Sequence, residues 1–513
     1  MSPAPAPAGH PPEDNLARAA RGSALNFAGS VVAGLSTFVL TVAVTRLVAP
    51  TEAGVFFAAT SLFLVVTGLG RLGTDTGLVY FISGARARGQ LRHAQAYMRV
   101  SARPVLVVSV ALGAALVLLA GTVAPVLSPG AEDRFADDLR VLGLLVPAAT
   151  ALHLAVAGTR GLGTMRVSAV LDQMARPVAQ LLLVVTGLVV VGSAAMVWAW
   201  AVVYVPLAVV AWVWWRRLRD RSAGQVRDPS FRPARAFWRF SWPRALASVT
   251  QQATQRLDIV LVAALAGLVE AAIYTAATRF VILGQLLARA VSLSTQPLLG
   301  ETLAAEDIPA TLRLYQATTA WLVLVTWPLY LVLAVFAPTA LRIFSGTYAE
   351  GADALRLLAV TMLLATACGM VNMVLLMAGR SFWNLANLVL AFSVNMVVDV
   401  LLIPRIGLLG AAVGWAVALA VVNLLPLLQL VRWYGLHPFG RGTLRAMTTA
   451  LLTFLLVPGT ARLVGGQDPW ALAVGVLLAL VVYAGALALQ REQLQLGLLT
   501  TAVLRRGRRS TAG

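Results

Sequence analysis

The chain is a succession of apolar runs, each about 20 residues long and separated by short polar turns. A run of that length crosses the hydrocarbon core as a helix, because a backbone in lipid must satisfy its own hydrogen bonds. About fourteen runs qualify, at roughly 24–46, 54–83, 102–124, 139–160, 167–191, 195–215, 240–266, 270–299, 314–337, 353–378, 382–403, 408–430, 443–464 and 469–490. Only 12% of the 513 residues are charged, against roughly a quarter in soluble domains. The first run is too long for a cleaved leader and reads as a retained span. The expected fold class is therefore an all-α polytopic membrane protein of about 14 transmembrane helices.

Charge sets the orientation. The sequence has 40 basic and 21 acidic residues, and every basic one is an arginine. Without lysine there is no P-loop and no Schiff base. Arginines accumulate on the cytoplasmic side of a membrane. Arg86, Arg88, Arg92, Arg99 and Arg103 follow the second run. Arg216, Arg217, Arg219, Arg221, Arg227, Arg232, Arg235 and Arg239 follow the sixth, and Arg505, Arg506, Arg508 and Arg509 end the chain. A fourteen-span count places all three groups on one side, opposite the acidic stretch SPGAEDRFADD at 128–138. Both termini are expected in the cytoplasm; only 300–313, with Glu301, Glu306 and Asp307, runs against the pattern. The lone Cys368 excludes an internal disulfide and reads as a packing residue.

Residues 68–77 read GLGRLGTDTG and contain G-x-G-x-x-G. A dinucleotide loop must follow a strand and open a soluble helix. This stretch lies inside an apolar run, so Gly73 and Gly77 read instead as a small-xxx-small spacing that lets helices approach closely.

An internal repeat divides the chain. Residues 47–60, LVAPTEAGVFFAAT, align without a gap on 265–278, LAGLVEAAIYTAAT, 218 residues further on. Leu47, Glu52, Ala53, Ala58, Ala59 and Thr60 match Leu265, Glu270, Ala271, Ala276, Ala277 and Thr278. The first and seventh runs both leave the cytoplasm, so the repeats are parallel, with a pseudo-twofold along the membrane normal and a site between two lobes. The expected organisation is a disordered cytoplasmic tail at 1–20, an N-lobe of six helices at 21–215 and a basic linker at 216–239. A C-lobe of six helices at 240–430, two extra helices at 431–490 and a basic tail at 491–513 follow. The same offset sets Arg71 opposite Arg289, an expected pseudo-symmetric pair facing the cleft.

Charged residues inside a membrane face partners or cavities, since one at the bilayer centre costs about 2.5–3.5 kcal/mol on insertion scales. Arg71 and Asp75 stand one turn apart, as do Asp172 and Arg176, and both pairs are able simply to lock helices together. Arg256, Arg279 and Arg289 have no acid at such a spacing in their own helices, apart from Asp258 nearby. Unpaired arginines call for an anion, and the planar guanidinium fork suits phosphate. The expected substrate-binding residues are Arg71, Arg256, Arg279, Arg289, Arg244, Gln252, Gln255 and Gln285, forming a site between helices one, two, seven and eight. Asp258, Asp75, Asp172 and Asp399 are the acids placed to couple H⁺ or Na⁺, with Asp258 first. His153 reads as a packing histidine. A lipid diphosphate sugar fits such a cleft, its head in the cavity and its tail in lipid. No metal cluster, Ser/His/Asp set or nucleotide motif appears, so no catalytic residue, metal or cofactor is expected. The chain reads as a transporter, not an enzyme, with no nucleic-acid partner.

Residues 25–82, from LNFAGSVVAGLSTFVLTVAV to GLVYFI, resemble the opening of Wzx-type polysaccharide-biosynthesis flippases. These belong to the multidrug/oligosaccharidyl-lipid/polysaccharide (MOP) exporter superfamily. QRLDIVLVAALAGLVEAAIYTAATRF, at 255–280, resembles the start of that family's second lobe. The resemblance implies an undecaprenyl-diphosphate-linked oligosaccharide as substrate, alternating access of two six-helix lobes, and an extra pair in helices thirteen and fourteen. It implies a bacterial cytoplasmic membrane, and partners among membrane lipids and polysaccharide-assembly proteins. Two relatives stay open: lipid II flippases of the MurJ type, which typically carry charges in the first helix, and multidrug (MATE) exporters, usually of twelve helices. Here Ala24 to Thr45 is uncharged. A membrane glycan polymerase or ligase is the remote alternative, because the outer loops at about 125–138 and 338–352 are short.

Overall fold

The computed structural model describes residues 12–222 and 233–490. The described residues are almost wholly helical and contain no strand. In chain order the elements are α1 (Pro12–Leu47), α2 (Pro50–Gly70, resuming as Thr74–Ala87), α3 (Ala94–Leu127), α4 (Glu132–Gly161), α5 (Ser168–Val190), α6 (Ser193–Asp220) and α7 (Ala234–Leu265). Then come α8 (Leu268–Ala304), α9 (Ile308–Val335), α10 (Gly346–Met377), α11 (Ser381–Ile406), α12 (Leu408–Tyr434), α13 (Arg441–Gly465) and α14 (Pro469–Leu489). Thirteen of them are long and apolar enough to cross a membrane. The exception is α7, which the sequence reading counts as a span. Its 32 residues are long enough, but Arg244, Gln251, Gln252, Gln255, Arg256 and Asp258 make it too polar by composition. It packs against α2, α8 and α11.

The limits of the tails differ from expectation. Helix α1 begins at Pro12, inside the tail expected to run to residue 20. Residues 1–11, the centre of the basic linker at 223–232 and the basic tail at 491–513 lie outside the described residues.

The second helix is not continuous over 54–83. It breaks at Arg71–Gly73, where Leu72 has φ 50° and Gly73 φ 70°. Glycine takes this left-handed conformation at no steric cost. It also leaves room for a neighbour: a Cβ at Gly73 would overlap the α7 backbone at Ser241 and Ala245, and one at Gly77 would overlap the Ser241 side chain. The small-xxx-small spacing is thus the seat of α7 on α2.

Both copies of the repeat build the same structure. Helix α2 begins at Pro50 and α8 at Leu268, which preserves the 218-residue offset. Residues 53–60 and 271–277 are all buried in one cluster. The two copies meet there, since a Cβ on Gly54 would overlap the backbone of Leu268. The matched glutamates also do the same work. Glu52 accepts a hydrogen bond from Ser193 Oγ at the start of α6 (2.8 Å), and Glu270 accepts one from the Leu408 backbone N–H at the start of α12 (2.5 Å). A carboxylate at a helix N-terminus also complements the helix dipole. Helix α13 packs on α9 and α14 on α13; Tyr483 of α14 fastens the pair by donating to Leu324 O at 2.9 Å.

The end of the molecule carrying the α1–α2 and α7–α8 turns is closed. Phe38, Phe280 and Phe344 form an aromatic plug with ring centroids 5.5–5.7 Å apart. Beyond it Arg46 of α1 reaches the connection after α9, donating to Ile343 O at 2.7 Å and Arg342 O at 3.3 Å.

Candidate functional site

Below the aromatic plug the two halves separate around a cavity of about 240 Å³. One wall is α1, which presents Ser30, Ala33, Gly34 and Thr37 at helical spacing. These side chains are small, so α8 comes close; a Cβ at Gly34 would overlap Leu286. The facing wall is α8, with Arg279, Ile282, Leu286 and Arg289 along one stripe and Gln285 beside it. Arg256 of α7 and Gln173 of α5 complete the lining.

The cavity therefore gathers Arg256, Arg279, Gln285 and Arg289 out of the eight residues singled out in the sequence. Arg279 is only 7% exposed, yet its Nε has no hydrogen-bond partner, and neither has the Nε of Arg256. Among the described residues none of the three arginines pairs with an acid. Holding an unpaired guanidinium away from water costs several kcal/mol. Arg289 and Gln285 are exposed and mark the open end.

The other four residues lie elsewhere. Arg71 does not face Arg289 across the cavity: the break in α2 turns it to Asp75, 3.4 Å away, whereas α8 runs unbroken past Arg289. Gln252 packs on Gly68 of α2. Gln255 is exposed and outside the lining. Arg244 is also exposed; it stacks 3.6 Å above the Phe240 ring and donates to Phe240 O at 3.0 Å. The walls come from helices one, five, seven and eight, so α5 takes the place expected for α2.

The acids fall into two groups. In the first half Asp172 accepts from Arg176 Nε at 3.0 Å, with His153 Nδ1 4.0 Å away. Arg176 continues to Gln180 (3.4 Å), and Gln180 to Trp200 O (3.1 Å). In the second half Asp258 accepts from Tyr274 at 3.2 Å, and Asp399 from Asn395 Nδ2 at 2.6 Å. The two carboxyl groups are neighbours, and among the described residues neither forms an ion pair with an arginine. One carboxylate oxygen of each, and Asn395 Oδ1, are buried without a donor. Helix α12 seals this pair at Gly414, where a Cβ would overlap Asp399. A second cavity, about 290 Å³, lies by Glu270, Glu350 and Asp353 near the closed end and contains none of the arginines above.

A profile of the family described as "Polysaccharide biosynthesis protein" matches residues 43–350, more than half the chain. The chain belongs to that family. No curated protein matches it at the level required. Among solved structures, one titled "Lipid II flippase MurJ, inward closed conformation" superposes with TM-score 0.72 at 11% identity, over 90% of this chain and 100% of that one. An inward-facing multidrug resistance MATE transporter of the MOP superfamily superposes with TM-score 0.59 at 16% identity, over 78% of this chain and 93% of that one. A MOP superfamily transporter from Pyrococcus furiosus, whose title names a binding pocket of reverse polarity, gives TM-score 0.55 at 17% identity, over 82% and 98%. This member of the polysaccharide biosynthesis family is thus a multi-pass membrane protein with the MOP exporter fold, shared with flippases and transporters.

Sequence reasoning passed over Gln173, Ser30, Gly34 and Thr37. The signal on α1 was faint but present: Asn26, Ser30, Thr37 and Thr41 repeat at helical intervals in an otherwise apolar run. Gln173 was hidden by its neighbour. Residues Ser168–Ala175 form a π-helical segment; within it Asp172 pairs with Arg176, while the next residue, Gln173, points to α1 and the cavity.

Proposed function

We propose that this protein moves a polyprenyl-diphosphate-linked oligosaccharide from the cytoplasmic to the outer leaflet of the bacterial cytoplasmic membrane by alternating access, with both termini cytoplasmic. One observation carries the reading: Arg256, Arg279 and Arg289 converge on a cavity between the repeats and lack acidic partners among the described residues. Guanidinium forks offer a diphosphate charge-assisted, bidentate hydrogen bonds. Arg289, at the open end, meets the headgroup first, and Arg279, deepest in burial, holds it. The aromatic plug and the Arg46 contacts keep the far side shut, and rocking of the lobes reverses the opening.

The energy comes from an ion gradient or the membrane potential, since the lysine-free chain has no P-loop. Outward movement of a diphosphate is favoured by about 2.3 kcal/mol per charge per 100 mV when the inside is negative. The donor-free oxygens of Asp258 and Asp399 are where H⁺ or Na⁺ binds to reset the empty carrier. Depletion of the protein in cells tests the substrate. Lipid-linked oligosaccharide is expected to accumulate on the cytoplasmic leaflet. Lipid II accumulating there instead would make this a lipid II flippase, and unchanged leaflet distributions of both would refute flipping.

A further inference from the structure

The cavity has two chemically different walls. The arginines all come from α7 and α8, in the second half of the chain. The first half contributes neutral hydrogen-bonding groups: Ser30 and Thr37 on α1 and Gln173 on α5. Gln173 is fixed in place. Its Nε2 donates to Asn26 Oδ1 at 2.6 Å, and its Oε1 shares the Ser30 hydroxyl proton, 3.3 Å away, with Asn26 O at 3.0 Å. Gly29 leaves the space it occupies, because a Cβ there would come within 2.7 Å of Oε1. A glutamine side chain has two N–H donors and two acceptor lone pairs. These contacts use one of each, so one donor and one acceptor remain on a side chain that lines the cavity.

An N–H alone would serve a phosphate oxygen, but the free acceptor beside it would not; a sugar hydroxyl or an N-acyl group, which both donate and accept, uses both. The dimensions agree. About 240 Å³ falls below the roughly 300–1,000 Å³ of sites that enclose a whole small molecule. The enclosed part of the cavity has room for the junction of the substrate, with the rest of the glycan left toward the open end. We infer that Gln173, positioned by Asn26 and supported by Ser30, reads the sugar joined to the diphosphate, and so selects which glycolipid is accepted. The inference rests on the headgroup reading above. It adds a consequence for the cycle: a glycosylated lipid touches both walls and favours their closure, whereas a bare lipid diphosphate touches one.

Binding to the purified full-length protein in nanodiscs tests this. The probes are undecaprenyl diphosphate and the same lipid bearing one glucose, galactose or N-acetylglucosamine. The unmodified protein is expected to prefer at least one glycosylated probe over the bare lipid. Gln173→Ala should remove that preference, weakening the favoured probe about 3- to 10-fold, as expected for one or two neutral hydrogen bonds, with bare-lipid affinity unchanged. Ser30→Ala should shift the same probe in the same direction by less. Equal weakening of both probe types by Gln173→Ala, or no weakening, overturns the inference, as does a protein that binds all four probes equally. A protein that binds none of them overturns the headgroup reading, and this inference with it.

Discussion

The two lobes are built from one repeat but treat buried charge in opposite ways. In the first, two arginines within its helices are neutralised locally, Arg71 by Asp75 and Arg176 by Asp172, and Arg160 alone keeps a buried Nε without an acid among the described residues. In the second the charges are sorted. Among the described residues, Arg256, Arg279 and Arg289 sit on the cavity without acidic partners, and Asp258 and Asp399 are neighbours without an arginine partner. The fifth and eleventh helices make the contrast concrete, since each carries a polar pair one turn apart, Asp172–Arg176 in one and Asn395–Asp399 in the other. Ion pairs one turn apart neutralise each other along their own helix. Sorted charges are costly to fold and remain able to bind something. Under the proposed function, the first lobe serves as scaffold and the second handles ions.

Several substitutions would break or sharpen that contrast. The largest effect is expected from Arg279→Leu, which should lower headgroup affinity by roughly 10- to 150-fold, the value of one charged hydrogen-bonding group, while raising thermal stability because a buried unpaired cation is removed. Reduced stability would show that Arg279 belongs to the scaffold. Arg289→Lys keeps the charge and loses the fork, so it should fall between the unmodified protein and Arg289→Ala in transport. Next, Asp172→Asn should destabilise by up to about 3 kcal/mol, because it leaves Arg176 without its counter-ion, and should leave the ion dependence of flipping unchanged; denaturation and proteoliposome assays together read this. Asp258→Asn should do the reverse, preserving the melting temperature and abolishing the response to an imposed H⁺ or Na⁺ gradient. Full gradient response in that variant would remove Asp258 from coupling. The smallest effect belongs to Arg46→Ala, which loses two exposed contacts to backbone carbonyls and should shift the opening equilibrium by about 1 kcal/mol, read as faster labelling of a cysteine placed near Phe38.

Much of this was legible in the sequence because bilayers punish exceptions. The length of each apolar run fixes its helix, and the repeat containing Glu52 and Glu270 marks the two helix starts at Pro50 and Leu268. The break in α2 was not legible: the run through Gly68–Gly77 stays apolar enough to read as one helix, and the contact with Ser241 and Ala245, which leaves no room for a Cβ at Gly73, is made by a helix far away in the sequence. The same break diverted Arg71 from the place its offset to Arg289 predicted. Unpaired arginines were readable as such because i, i+4 spacing either supplies an acid or does not. Gln173 was not, since a single neutral amide beside an ion pair carries no spacing signal, and its partners Asn26 and Ser30 lie 147 and 143 residues away.

The central claim is that arginines of the second lobe, and not the paired arginines of the first, hold the anionic headgroup. Flipping of a lipid-diphosphate oligosaccharide in proteoliposomes by Arg279→Leu and Arg71→Leu, each shown to be folded, tests it most directly. The account predicts background flipping by the first and most of the unmodified rate in the second. An Arg279→Leu protein that flips at the unmodified rate, or an Arg71→Leu protein that loses as much, would contradict it.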